Sequence, residues 1–188
     1  MLRTAARDGD GLLTQIPTLD AVLSRHASLL GHDFEAYRNH AYRVANLCAS
    51  QGPRSPERLE KIAVAAAFHD LGIWTDRTFD YLEPSVSLAR AFLLDAGRPE
   101  WVPDVTTAIL VHHKVSRYRG QGDEFVEAFR RADWMDVTSG LVTFGLPRKL
   151  LRSVVATWPR AGLHALLLRL ELRRLRTHPW NPLPMLKL

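Results

Sequence analysis

Residues 62–68, Ile-Ala-Val-Ala-Ala-Ala-Phe, form an unbroken apolar run that stops at His69-Asp70 and then Leu71-Gly72. A helix that is apolar on every side belongs in the interior of a fold. An imidazole and a carboxylate at its dry end need a partner, because a buried, unpaired carboxylate is strongly disfavoured. The chain has to supply that partner from elsewhere.

Helical periodicity recurs on both sides of this run, and strand signals are scarce. The spacing predicts helices over 16–31, 33–52, 55–72, 84–97, 102–115, 124–140, 147–159 and 160–178. Gly31, Gly97 and Gly140 mark stops, and Ser55-Pro56 is a start signal with Glu57 close behind. Asp33 is expected to cap its helix. Residues 73–83 and 116–124 read as loops, and three prolines keep 179–188 from being helical. The expected fold is all-α, a bundle of about eight helices.

The 188 residues are 46% hydrophobic and 24% charged, which suits one domain with a sizeable core. The single cysteine, Cys48, cannot form an internal disulfide, as suits a reducing compartment. Charges fill the first residues where an export signal needs an apolar stretch, and no apolar run is long enough to span a membrane. A cytoplasmic protein is expected. Residues 146–188 hold nine Lys/Arg against one acid, Glu171, so that arm carries +8 and the remainder −3. The expected divisions are a flexible segment over 1–17, a body over 18–145 and a basic helical arm over 146–188 packed on the body. The arm reads as an amphipathic helix pair with a solvated arginine face. No phosphate loop or zinc-finger spacing occurs, and nothing indicates sequence-specific nucleic-acid binding.

On 33–52, His40 lies at the edge of a stripe made by Tyr37, Ala41, Val44 and Cys48. On 124–140, Asp133 and Asp136 share the side of Val126, Phe129 and Ala132. Inward polar groups thus fall on three separate helices: His40, the His69-Asp70 pair, and Asp133, with Asp136 as a substitute. Two imidazoles and two carboxylates suit one divalent cation, from Mn, Fe, Co, Ni and Zn to Mg. His32-Asp33 repeats the dipeptide at a helix start, where a capping aspartate is ordinary.

In this arrangement the sequence resembles the HD-domain superfamily of metal-dependent phosphohydrolases. The matching residues are His40 in HAYRVANL, His69-Asp70 in AAAFHDLG and Asp133 in FRRADWMDV. The resemblance implies an HD-like bundle over roughly residues 20–140, with His40, His69, Asp70 and Asp133 as metal ligands. It also implies a phosphate-ester hydrolase acting on a small phosphorylated substrate such as a nucleotide, through a metal-activated water. Ile73 and Trp74 stand where guanosine-tetraphosphate hydrolases carry a Glu-Asp pair, and Ile73 also replaces the glutamate of the 5'-deoxynucleotidases. The stretch EPSVSLA lacks the histidine of the cyclic-di-GMP branch, which favours one metal over two.

His112-His113 resembles the second-metal ligands of the two-metal branch, yet on one helix with Val105 and Ile109 both cannot face inward. One of them, with Lys114, is an alternative contact for a substrate phosphate. Arg43, one turn past His40, is expected either to pair with a carboxylate or to hold a phosphate. Asp76 and Asp80 are the nearest candidates for a general acid beside the catalytic Asp70. The alternative functions are an HD-fold hydratase of a small nitrile such as cyanamide, a di-iron oxygenase, and a non-catalytic metal- or nucleotide-binding module. Self-association is left open.

Overall fold

A computed structural model describes residues 6–7, 11–177, 180 and 185. Its element order is two strands, β1 (Ala6–Arg7) and β2 (Leu13–Gln15), followed by helices. These are α1 (Pro17–Arg25), α2 (Ala27–Leu30), α3 (Phe34–Ala49), α4 (Pro56–Phe68), α5 (Gly72–Thr75), α6 (Leu82–Asp95), α7 (Val102–Val111), α8 (Asp123–Val137), α9 (Arg148–Thr157) and α10 (Leu163–Thr177). Short 3-10 turns at Gly31–Asp33 and Pro99–Trp101 lead into α3 and α7. The all-α expectation holds: eight of the ten helices have nine residues or more.

The apolar run explains the layout. Every residue from Ile62 to Phe68 is buried, and α4 packs against α1, α3, α6 and α7. Four alanines on α4 let those neighbours come close, while Phe129 and Tyr37 fill the space at its C-terminal end. The start signal works as expected, with Ser55 Oγ accepting the Arg58 N–H at 3.2 Å and Pro56 in the first position. Gly31 closes α2 at φ +53°, where a side chain is strained.

Several boundaries differ from the sequence expectation. The helix expected over 16–31 breaks at His26, whose Nδ1 bonds the Val22 carbonyl at 2.9 Å. The loop expected over 73–83 begins with the single turn α5. Asp33 does not cap α3. Its carboxylate instead accepts Trp74 Nε1 at 3.1 Å and an Arg169 nitrogen at 3.1 Å, tying the turn to α5 and α10.

Where flexibility is expected over 1–17, residues 11–16 are anchored: Leu12, Leu13 and Ile16 are buried in the core. The Asn46 side chain takes both backbone groups of Leu13, at 2.7 and 3.1 Å, in the way a neighbouring strand does. The remainder of that segment, residues 1–5 and 8–10, lies outside the described residues, as does most of 179–188. The arm meets the body along α3. Leu151 and Val154 of α9 are buried, and Trp158 stacks on Tyr42 with ring centroids 3.9 Å apart.

Candidate metal centre

Four helices deliver polar side chains to one buried point. His40 comes from the middle of α3 and Asp133 from α8. His69-Asp70 lies just past the end of α4, and His112-His113 just past the end of α7. Hydrogen bonds on the far side of each ring set its direction. His69 Nδ1 bonds the Ala66 carbonyl at 3.0 Å, and His112 Nδ1 bonds the Ile109 carbonyl at 2.6 Å. His40 Nδ1 bonds Asp136 Oδ2 at 2.7 Å. All three therefore carry the proton on Nδ1 and turn a free Nε2 toward the centre.

The free atoms converge. His40 Nε2 is 2.9 Å from His69 Nε2, 3.6 Å from Asp70 Oδ2 and 3.4 Å from Asp133 Oδ1. His69 Nε2 is 3.3 Å from Asp70 Oδ2 and 3.9 Å from Asp133 Oδ1. On the other side, His112 Nε2 is 3.4 Å from Asp70 Oδ1, and His113 Nδ1 is 3.3 Å from Asp133 Oδ2. Each of the two carboxylates thus faces both ends of the cluster.

These donors fit a divalent cation. Asp70 Oδ1, His112 Nε2 and both oxygens of Asp133 are buried and have no hydrogen-bond partner among the described residues. Such groups are rare in a folded interior and require an explanation. Bonds of about 2.0–2.1 Å meeting at right angles on one ion put two ring nitrogens roughly 2.9 Å apart, which is the His40–His69 separation. Three overlapping sets have ligand atoms all within 4.8 Å of one another: His40, His69 and Asp133; His69, Asp70 and His112; His112, His113 and Asp133.

The electrostatics point the same way. Burial works against a charged His40, yet the carboxylates of Asp133, Asp136 and Asp70 outweigh it and raise its pKa well above the usual value. Burial likewise works against an ionised Asp70, but His69, His112 and His40 hold its carboxyl well below the usual range. His113 is the exception: burial, with His112 beside it, pushes it down to about 4, leaving an uncharged ring. A site of this kind attracts positive charge, and His113 is the imidazole it keeps uncharged.

The sequence expectation of one inward histidine from 112–113 is corrected. Helix α7 ends at Val111, the chain turns through His112 and His113, and both rings face the cluster. The Lys114 carbonyl holds that turn against α8, accepting Arg130 Nη1 at 2.9 Å and Trp134 Nε1 at 3.2 Å.

Arg43 is not at a substrate-facing position. It is fully buried, paired through two nitrogens with Asp136 at 2.6 and 2.8 Å, and its third nitrogen reaches the Trp158 and Pro159 carbonyls at 3.1 Å. Asp136 is consequently a partner of His40 and Arg43, turned away from the open ligand positions. Asp76 is exposed and bonded to Thr75 at 2.8 Å, and Asp80 is exposed and paired with Arg174 at 3.0 Å, so neither enters the cluster.

Two tyrosines escape sequence reasoning. The Tyr37 hydroxyl donates to the Ala67 carbonyl at 3.0 Å and accepts the Asp70 N–H at 3.3 Å, bracing the His69-Asp70 turn. Its position one turn before His40 places it on the same face, a signal that could have found it. The Tyr81 hydroxyl meets His113 Nε2 at 2.7 Å. Nothing local marks Tyr81, because its partner is 32 residues away.

No curated protein and no solved structure gives a significant match to the chain. A family model does: the HD domain, over residues 37–138. That stretch is more than half of the chain. It begins on the helix that carries His40, ends just past the one that carries Asp133, and leaves out α9 and α10. The chain belongs to the HD-domain family.

Proposed function

We propose that this protein is a metal-dependent hydrolase of phosphate esters. The observation that carries the reading is the set of buried, unpartnered donors at Asp70, His112 and Asp133, aimed at the same point as His40 and His69. His40, His69, Asp70 and Asp133 are the proposed ligands, in keeping with the divalent-metal chemistry typical of HD domains. A bound divalent cation makes a coordinated water acidic near neutral pH and polarises a phosphoryl oxygen.

The chain's own residues do the rest. Asp136 and the Ala66 carbonyl fix the His40 and His69 rings, so that both present Nε2 without further reorganisation. Asp70 is the proposed catalytic carboxylate. It is the least buried of the four ligands, at 6% exposed, and a substrate reaches the centre on its side, next to the partly exposed His113. Arg43 acts through Asp136 and touches no substrate.

A second reading, two cations sharing Asp70 and Asp133, is favoured by Asp70 Oδ1 and His112 Nε2 lying 3.4 Å apart without other partners. His112 and His113 are the extra ligands in that case.

The experiment is metal analysis of protein purified without chelator, followed by assays on p-nitrophenyl phosphate and a nucleotide panel with Mn, Co, Ni, Mg and Fe(II). Stoichiometric metal and metal-dependent phosphate release are expected, and both are lost together in His69→Ala and Asp70→Ala proteins that keep the helical circular dichroism spectrum. Hydration of cyanamide without phosphate release moves the protein to the nitrile hydratases. Metal without turnover on any of these makes it a binding module. Absence of metal in the wild type removes the proposal.

A further inference from the structure

Behind Asp136, on the side away from the unpartnered ligand atoms, a cleft of about 470 Å³ opens between the end of α8 and helix α9. Its floor is apolar, made by Met135, Leu151 and Val154. Three guanidinium groups line it: Arg148, Arg152 and Arg160. Asp136 is the one acid among the described lining residues, and Arg43 and His40 already neutralise it. Arg152 and Arg160 have no carboxylate partner among the described residues.

Two further observations favour an anion in this cleft. Arg160 Nε is buried and has no hydrogen-bond partner, and a buried donor left unpaired is costly. Helix α9 also begins with Arg148 and Lys149 and has no acid in its first turn. The N-terminal end of a helix carries partial positive charge, so cations gathered there repel it unless an anion joins them. The shape is built as well. Gly140 sits at φ +75°, a backbone conformation that strains other residues, where the loop after α8 closes against Leu151 of α9.

We propose that this cleft binds the phosphate group of a small organic molecule. Arg148, Arg152 and Arg160 take the phosphate, and the body of the ligand lies on Leu151, Val154 and Met135. The cleft is concave and of a size for a small ligand with an apolar part and one anionic group. The site is separate from the metal centre and independent of the hydrolase reading. All three arginines belong to the arm, outside the stretch matched by the family model.

The test is calorimetric titration of metal-free protein with inorganic phosphate and with phenyl phosphate at constant ionic strength, balanced with chloride. Saturable one-to-one binding is expected, tighter for phenyl phosphate than for inorganic phosphate. The Arg152→Ala/Arg160→Ala protein should bind about tenfold more weakly or worse. Arg152→Glu, at an exposed position, should abolish binding without changing the melting temperature. His69→Ala, which disables the metal centre, and Arg98→Ala, beside Trp101, should bind as the wild type does. Equal binding by wild type and a folded Arg152→Glu protein overturns the proposal. So does loss of binding in a folded His69→Ala protein, which moves the site to the metal centre, or an absence of saturable binding at millimolar ligand.

Discussion

Arg43 is a cation with no exposed surface, held by one carboxylate and two carbonyls. Such a group is stable only while its partners stay in place, and breaking a buried pair typically costs about 3–5 kcal/mol. Arg43→Met should therefore lower unfolding stability in urea by about that amount, since Asp136 keeps only His40. Asp136→Asn tests the next link. The substituted amide cannot accept from His40 and Arg43 as the carboxylate does, and affinity for Co(II), followed by its absorption spectrum, should fall about 10–100-fold. The sequence placed Arg43 one turn past His40 but left its role open between carboxylate and phosphate. Its partner lies 93 residues away on another helix, and only packing decides such a pairing. Asp133 was legible for the opposite reason: its neighbours on α8 show which side is dry.

At the scale of elements, the site depends on how helices stop. Gly72 opens α5, where a Cβ would meet the Tyr81 carbonyl at 2.5 Å and Ser85 Oγ at 3.0 Å. Its N–H also donates to Ser85 Oγ at 3.0 Å. Gly72→Ala should cost about 1–3 kcal/mol in urea unfolding, since the start of α6 has to shift, and Tyr81 moves with it. Ser55→Ala, which removes only a cap on the far end of α4, should cost about 1 kcal/mol and leave metal content intact. The starts of these helices were readable because capping is local: Ser55-Pro56 carries its own signal. Their ends were less so. The apolar pattern of 102–115 gives no sign that α7 stops at Val111, and that stop is what turns both His112 and His113 inward. Asp33 shows the same limit, since a capping residue type was claimed by Trp74 and Arg169 from elsewhere in the fold.

At the scale of the whole molecule, opposite charges join the pieces. Arg169 and Arg174 of the arm pair with Asp33 and Asp80 of the body, so part of the basic face expected to be solvated is a docking surface. Glu127 does the same inside the body, binding Arg130, Arg131 and the Tyr118 N–H. Burial works to raise its pKa, but Arg130, the Tyr118 N–H and Arg131 bring it from 4.5 to about 2. A carboxyl depressed by folding stabilises above its unfolded pKa and loses that contribution as pH falls through the folded one. The melting temperature of Glu127→Gln should lie below that of the wild type at neutral pH, and the gap should close between about pH 4.5 and 2.

The two strands among the described residues were invisible in the sequence, because β1 and β2 are two and three residues long and Leu13 is held by Asn46, far along the chain. The two carbonyls that receive Arg43 come from Trp158 and Pro159, beyond the last residue of the family match. A fragment trimmed to residues 37–138 would keep each side chain of the His/Asp cluster and yet strand a guanidinium in the interior with half its contacts gone. The boundary drawn by homology is thus not where this protein can be cut, and any expression of the HD domain by itself should extend past Pro159.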